Sequence, residues 1–314
     1  MRAMSRPRSL SPYLALVIGV IAASTASLFI RYAHQEHVPS LIIAAFRLSL
    51  AALLLTPVAL HGHRTELRRL PRRSYGLAVV SGILLAVHFA SWITSLEYTS
   101  VLVSVVLVST SPLWVALLAP LLIREPFERR TLIGIVVAFA GGILISLAGS
   151  DVTASLQTAP LPGSALALTG AVAMALYLIA GRRLRASLNV VAYIWLVYGA
   201  AALTLLLAVA LTGGSLLGYS PAAYFWMLLL AIIPQLIGHS SFNYALGHLP
   251  AAYVSLVILA EPVGSGVLAF LFLGEAPGTL QIVGAALILF GVLFAQRATG
   301  RADSHLAPLD IPAE

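Results

Sequence analysis

A segment of the chain recurs with a fixed offset of 150 residues and without a gap. Residues 112–141 align with residues 262–291. The residues that recur unchanged are, in the first copy, Pro112, Leu118, Ala119, Leu121, Glu125, Gly134 and Gly141. The arginines do not recur, since Gly274, Thr279 and Leu280 stand where the first copy has Arg124, Arg129 and Arg130. A helix pair that keeps its packing residues and loses its charges is typical of a repeat that faces the opposite side of a membrane.

The composition excludes a soluble fold. Hydrophobic residues make up 60% of the chain and charged residues 9%, whereas soluble domains carry about 25% charged residues. So much apolar surface requires lipid as the solvent. The apolar runs are continuous rather than short and alternating, so helices rather than a β-barrel are expected to satisfy the backbone polar groups. The sequence predicts an all-α membrane protein.

Ten apolar segments are long enough to span a bilayer, which takes about 20 residues each. They cover residues 12–32, 39–60, 75–97, 100–123, 130–149, 163–181, 189–211, 222–246, 251–273 and 278–296. The first is interpreted as an uncleaved helix. We expect two repeats of five helices, at residues 12–149 and 163–296, with tails at residues 1–11 and 297–314.

The arginines give the protein an orientation. All 18 basic residues are arginine, and 16 of them lie in the N-terminal arm, the C-terminal tail and the loops after predicted helices 2, 4 and 6. With ten crossings, all of these regions lie on one side, so the positive-inside rule places both termini in the cytoplasm. Because five is odd, the second repeat is inverted relative to the first. Inverted repeats are typical of alternating-access transporters, with the substrate near the midplane.

Several function classes are disfavoured. The net charge of +7 does not indicate nucleic-acid binding, since the arginines lie between apolar runs. The absence of cysteine excludes disulfides, thiolate metal sites and cysteine nucleophiles. The sequence has no G-x-x-x-x-G-K-[ST] loop for ATP. No metal-ligand spacing is found, and no cofactor is expected.

Charged groups deep in a bilayer are costly and face a cavity or a partner. Glu261 lies about ten residues into predicted helix 9, near the midplane, and no other acidic group lies so deep. It is interpreted as a group that faces a cavity and binds a substrate cation or a proton; the alternative is a permanent ion pair with an arginine. Arg47 in predicted helix 2 could bind a carboxylate, but pairing with Glu97 or Glu261, or snorkelling outward, is favoured.

Uncharged polar residues add further candidates. His88 and Trp92 share one face of predicted helix 3, and Gln235, His239 and Asn243 form a stripe at four-residue spacing in predicted helix 8. A single membrane histidine more often bonds a neighbouring helix, but a stripe of three polar residues favours a cavity lining. The remaining candidates for substrate contact are Ser24, Ser111 and Tyr177.

Two prolines stand at matched positions, Pro112 and Pro262, and matched weak points in two halves indicate hinges. Glu125 and Glu275 each precede a helix, where an acidic group complements the positive end of the helix dipole. We assign these two glutamates structural roles.

The motifs that surround these positions resemble one family. Pro112-Leu-Trp, Arg124-Glu125, Gly134 and Gly141-Gly142, with their second copy from Glu261-Pro262 to Gly291, resemble the EamA domain of the drug/metabolite transporter superfamily. The resemblance covers about residues 12–297. It implies a ten-helix transporter of small metabolites in the bacterial inner membrane, often an exporter of amino acids, with a central cavity between helices 1, 3, 4, 6, 8 and 9. Helices 5 and 10 are peripheral in the family and carry dimer contacts in some relatives.

The expected function is secondary transport of a small-molecule substrate by alternating access, driven by the proton gradient or by the substrate gradient alone. The chain is expected to be a monomer or a homodimer in the lipid bilayer and not an enzyme. The alternatives are a lipid-carrier flippase, a membrane enzyme using Glu261, His88 and His239, and a scaffold that does not transport.

Overall fold

A computed structural model describes residues 10–98, 104, 107–125, 128–148, 160–273 and 278–302. These residues form α-helices, one π-helical segment and the turns between them. In chain order the α-helices are α1 (Pro12–Ser24), α2 (Ala26–Gln35), α3 (Ser40–Gly62), α4 (Arg64–Arg69), α5 (Arg72–Tyr98), α6 (Ser111–Ile123), α7 (Arg129–Ala148), α8 (Pro160–Arg185), α9 (Val190–Leu211), α10 (Pro221–Leu230), α11 (Ser240–Leu246), α12 (Ala251–Ile258), α13 (Glu261–Leu273) and α14 (Thr279–Ala302). The π-helical segment, Ala231–His239, joins α10 to α11.

Seven helical stretches are long and apolar enough to cross a membrane. They are Pro12–Gln35, Ser40–Gly62, Arg72–Ser95, Leu161–Arg185, Val190–Leu211, Pro221–Leu246 and Ala251–Phe272. Two shorter apolar helices cover Ser111–Ile123 and Ile282–Ala295. The prediction of a multi-pass, all-helical membrane protein is therefore confirmed for the described residues. The count of ten crossings and the inverted repeat stay predictions.

Four of the segments predicted as single helices are interrupted, and in the predicted helix at 100–123 the interruption is a turn at Ser109 and Thr110. A turn at Thr25 separates α1 from α2, and a turn at Leu259 and Ala260 separates α12 from α13. The predicted helix at 222–246 changes from α to π geometry at Ala231. Pro234 lies inside the π segment and has no backbone N–H, so the regular α-helical bonding cannot continue through it.

The helices pack through small residues. α7 and α14 have the most extensive contact, and α5 packs along α8. A Cβ on Gly134 would lie 2.6 Å from the carbonyl oxygen of Gly291, and a Cβ on Gly141 would lie 2.5 Å from that of Gly284. Only glycine lets two helix backbones approach this closely, so the four glycines set the distance between α7 and α14.

Polar contacts join the helix ends. At the arginine-rich end, the Glu66 carboxylate accepts a hydrogen bond from the backbone N–H of Asn189 at 2.7 Å, which ties α4 to the start of α9. Near the ends of α2 and α10, the Ser220 hydroxyl donates to Glu36 at 2.5 Å. The rings of Tyr32 and Trp226 stack beside this bond, with centroids 4.5 Å apart. These contacts hold α2 against α10.

Candidate functional site

A cavity of about 320 Å³ lies among the interrupted helices. Its size is at the lower end of the range for small-molecule sites. The side chains that line it are Ala23, Ala26, Arg47, His88, Phe89, Trp92, Val108, Ser109, Ser111, Met174, His239, Ile258, Leu259, Glu261, Pro262 and Ser265. Most are apolar, and two carry opposite formal charges.

Two matched turns shape one wall of the cavity. The turn at Ser109 and Thr110 precedes α6, and the turn at Leu259 and Ala260 precedes α13, exactly 150 residues later. Ser111 and Glu261 are therefore the first residues of their helices. Pro112 and Pro262 follow at positions where the missing backbone N–H would have had no helical partner, so the prolines favour helix starts here. The hinge role of the two prolines stays a prediction.

Arg47 reaches the cavity from α3 and is 2% exposed. Its Nε donates to the Oε1 of Gln235 at 2.7 Å, and its guanidinium lies 4.4 Å from the centroid of the Phe89 ring. Within the described part of the chain it forms no ion pair with Glu261. Arg47 is buried rather than extended outward, and it interacts electrostatically with Glu261 without a direct ion pair. The Glu97 side chain lies outside the described residues. The family resemblance does not count helix 2 among the main cavity helices, so Arg47 was not among the favoured substrate contacts.

Glu261 is held in place through its backbone. The Ser24 hydroxyl donates to the Glu261 carbonyl oxygen at 3.1 Å, and the Ser265 hydroxyl donates to the Ser24 carbonyl oxygen at 3.0 Å. These two bonds cross-link α1 and α13 where the cavity opens between them. Glu261 lines the cavity, and its carboxylate interacts electrostatically with Arg47 but makes no hydrogen bond or direct ion pair with any described residue.

Both predicted histidines lie in the cavity wall. His88 Nδ1 lies 2.9 Å from the Gly170 carbonyl oxygen, so this nitrogen carries the proton that is donated. The His88 ring stacks on Trp92 with centroids 6.0 Å apart. His239 lies against Phe89, with centroids 5.4 Å apart. His88 is thus fixed by a neighbouring helix and still presents its ring to the cavity.

Four predicted contacts lie outside the cavity lining. Gln235 is fully buried and bonds Arg47, and Ser24 bonds Glu261 through the backbone. Tyr177 donates to Asn243 Oδ1 at 2.8 Å, and Asn243 Nδ2 donates to the Tyr198 hydroxyl at 3.3 Å. We call Tyr177, Tyr198 and Asn243 the tyrosine cluster. The predicted polar stripe is therefore divided, since only His239 reaches the cavity and its two neighbours bond other helices.

The tyrosine cluster lies on the arginine-rich side of the cavity. Tyr177 follows the cavity residue Met174 by three positions toward Arg185, and Asn243 follows His239 by four positions toward the end of α11. Each displacement is about one helical turn, or about 5.4 Å. The cluster is buried and hydrogen-bonded, and it lies outside the cavity lining.

The apolar lining residues Phe89, Met174 and Ile258 were also missed from the sequence. Phe89 carries a recoverable signal, because the 150-residue offset matches it to His239. Met174 and Ile258 are apolar, like most other residues of the helices, so their residue type does not single them out. Only the packing distinguishes them.

Glu125 joins three helix ends beyond the cavity. Its carboxylate lies 3.4 Å from Arg182 at the end of α8, and the backbone N–H of Ala251 at the start of α12 interacts with it. Burial raises the pKa of Glu125, and Arg182 and the Ala251 amide partly oppose that rise. The glutamate thus stabilises the start of α12 rather than that of the helix that follows it in sequence. Its repeat partner Glu275 lies outside the described residues.

The arrangement is suited to binding a solute. An arginine and a glutamate face a cavity whose other lining residues are apolar side chains, serines and histidines, and both retain groups that can bind a solute. Among the described residues, no group of three His, Cys, Asp or Glu side chains could hold a metal ion.

Comparison with known proteins agrees with a transport protein. The chain is 26% identical to an uncharacterized transporter of Bacillus subtilis strain 168, YyaM, over 80% of this chain and 83% of that protein. It is 28% identical to a probable terminal-alkyne amino-acid exporter of Streptantibioticus cattleyicolor over 62% of this chain and 63% of that protein. A crystal structure with 19% identity matches its fold with a TM-score of 0.74, over 93% of this chain and 98% of the other.

The family model of the EamA-like transporters matches the chain in two places, residues 10–147 and residues 161–296. The resemblance to the drug/metabolite transporter superfamily is therefore confirmed. Two matches that together cover most of the sequence show that the chain belongs to the EamA-like transporter family.

Proposed function

We propose that this protein is a secondary transporter that exports or exchanges small metabolites, such as amino acids or related solutes, across the bacterial inner membrane. The observation that carries the proposal is the cavity among the membrane helices, lined by Arg47, Glu261, His88 and His239. Charged and polar groups at that depth in a membrane protein mark a solute or ion path. The relative named as an amino-acid exporter supports the same substrate class.

We further propose ten crossings in two inverted repeats, with both termini cytoplasmic. The packing supports this, because the described contacts recur when the halves are exchanged. Gly134 meets Gly291 and Gly141 meets Gly284, although the sequence offset matches Gly134 to Gly284 and Gly141 to Gly291. Such crosswise contact is a property of a two-fold interface. The contact of α5 with α8 likewise has a counterpart in that of α1 with the π segment.

Alternating access then operates at the matched turns. Each turn divides an apolar segment beside the cavity and is followed by a proline, so each is a point where two rigid pieces can change their angle. We propose that Pro112 and Pro262 mark these hinges. Glu261, at the start of α13, is the group proposed to take up a proton or a substrate cation during the cycle.

Solute flux into proteoliposomes tests the proposal directly. Purified protein is reconstituted, and a panel of amino acids and amines is measured at two pH values. We expect at least one solute to move faster than in empty liposomes. We expect the flux to depend on pH in the wild type and to lose that dependence in Glu261→Gln.

Glu128→Gln is the matched control, because it removes an exposed carboxylate that does not line the cavity. We expect this variant to keep the wild-type flux and pH dependence. Flux of no solute in the panel would contradict transport. An unchanged pH dependence in Glu261→Gln would contradict the role of Glu261 in coupling.

A further inference from the structure

We propose that the cavity recognises a zwitterion, with Arg47 binding the anionic group of the solute and Glu261 binding its cationic group. This inference rests on the proposed transport function and specifies how the solute is held. It assigns substrate recognition to Arg47 as well as to Glu261, with each residue binding the solute group of opposite charge.

The direct neighbours of the Arg47 guanidinium are uncharged, and Glu261 acts on it electrostatically without a direct ion pair. Gln235 is an uncharged partner and accepts from Nε alone. The Phe89 ring holds the guanidinium plane through a cation–π contact. No described carboxylate pairs with it, so the two terminal nitrogens keep the forked geometry that binds a carboxylate with two hydrogen bonds.

The Glu261 carboxylate is also fixed in place and retains its binding capacity. The contacts of Ser24 and Ser265 hold the backbone at the start of α13, and no described side chain bonds the carboxylate. A carboxylate accepts hydrogen bonds and donates none, so a solute ammonium is a suitable partner. Arg47 on α3 and Glu261 on α13 thus face the same cavity without a direct ion pair between them.

The other lining residues contact the part of the solute that carries neither charged group. Phe89, Trp92, Met174 and Ile258 present apolar surfaces, and His88 and His239 supply polar edges. The opposite charges of Arg47 and Glu261 sum to zero, so a zwitterion of zero net charge matches both without adding net charge to the membrane interior. A second fixed charge on the solute side chain would have no counterpart among the described lining residues.

Selectivity follows from the charges that an incomplete solute leaves unpaired. An amine satisfies Glu261 and leaves Arg47 without an anion, whereas a simple acid does the reverse. A buried charge without a partner is strongly unfavourable. A site built to bind a polar group therefore rejects the analogue that lacks the group, by about tenfold or more.

Counterflow exchange in proteoliposomes tests the inference without requiring a known coupling ion. Vesicles are loaded with unlabelled L-leucine or L-phenylalanine, and uptake of the same labelled amino acid is measured. The competitors for leucine are 3-methylbutylamine, which lacks the carboxylate, and 4-methylpentanoate, which lacks the ammonium. For phenylalanine they are 2-phenylethylamine and 3-phenylpropanoate. We expect each single-charge analogue to compete at least tenfold more weakly than the amino acid.

The variants assign each end of the solute. In Arg47→Gln the amine should compete about as well as the amino acid, and in Glu261→Gln the acid should do so. Thermal unfolding of each purified variant establishes whether it is folded. If a variant is not folded, the comparison of competitors in the wild-type protein still tests the inference.

Equal competition by the amine or the acid in wild-type protein would overturn the inference while leaving transport intact. So would flux of other solutes without flux of either amino acid. Flux of no solute would instead contradict the proposed function.

Discussion

Gly134 and Gly291 meet backbone to backbone between α7 and α14. A Cβ on Gly134 would lie 2.6 Å from the Gly291 carbonyl oxygen, and a Cβ on Gly291 would lie 2.5 Å from that of Gly134. Reciprocal contact of this kind leaves no room for even one methyl group. The family resemblance implied peripheral helices at these positions, and their glycine faces are turned toward each other.

Gly134→Ala should therefore destabilise the protein, because the new methyl group pushes on backbone rather than on a flexible side chain. We expect the free energy of unfolding to fall by roughly 1–3 kcal/mol, as for other overpacked sites. Gly142→Ala is the control on the same helix, since a Cβ there meets nothing within 4 Å. Thermal unfolding in one detergent compares the two variants. Equal stability of both would contradict the close backbone contact.

Gln235→Glu should weaken solute binding by giving Arg47 a permanent counter-charge. Gln235 already bonds the guanidinium at 2.7 Å, so a glutamate there would compete with a solute carboxylate. We expect the KM for counterflow to rise about tenfold, equivalent to about 1.4 kcal/mol. Gln35→Glu adds the same charge at an exposed position on α2 and should leave KM unchanged. An unaltered KM in a folded Gln235→Glu protein would argue against recognition by Arg47.

Tyr177→Phe should lower stability without changing solute affinity. The hydroxyl bonds Asn243 at 2.8 Å in the tyrosine cluster, outside the cavity lining. Losing such a bond costs about 0.5–1.5 kcal/mol. Tyr244→Phe removes an exposed hydroxyl bond to the Leu10 carbonyl and serves as the control. If KM rose and stability stayed constant, Tyr177 would instead contact the solute, as the sequence predicted.

Glu125 should make stability depend on pH. Burial raises the pKa of Glu125 in the folded protein, so the folded state binds the proton more tightly than the unfolded state, in which a glutamate has a pKa of about 4.3. By linkage, the stabilisation is present below the unfolded pKa and is lost as the pH rises through the folded pKa. Glutamine does not titrate, so only the wild type loses this stabilisation. The unfolding temperature of Glu125→Gln minus that of the wild type should therefore increase as the pH rises through the folded pKa. Glu128→Gln, which removes an exposed carboxylate, should show no such trend.

The sequence predicted the membrane helices because continuous apolar runs have few other solutions in lipid. It also brought Glu261, His88, Trp92, His239 and Ser111 to one region, since depth along a helix can be counted from its ends. Their contact with a solute stays a prediction.

The sequence could not predict which neighbouring residue forms a hydrogen bond with each buried polar side chain. Gln235, His239 and Asn243 share a spacing, yet two of them bond side chains from other helices. The π segment around Pro234 packs against α1 and α3, which lie far from it in the sequence. Arg47 reaches the cavity because Gln235 and Phe89 lie beside it, and both belong to segments distant in sequence.

Access to the cavity from both sides of the membrane tests the central claim most directly. The chain has no cysteine, so Ser111→Cys introduces one thiol into the cavity wall. Ser255→Cys, at a position 1% exposed on α12, is the unreactive control. The measurement is modification by a membrane-impermeant, negatively charged methanethiosulfonate reagent applied to one side of the vesicles at a time, followed by counterflow. Alternating access predicts that reagent from either side modifies Cys at 111 and stops counterflow. Modification from one side alone, or full modification with normal counterflow, would contradict it.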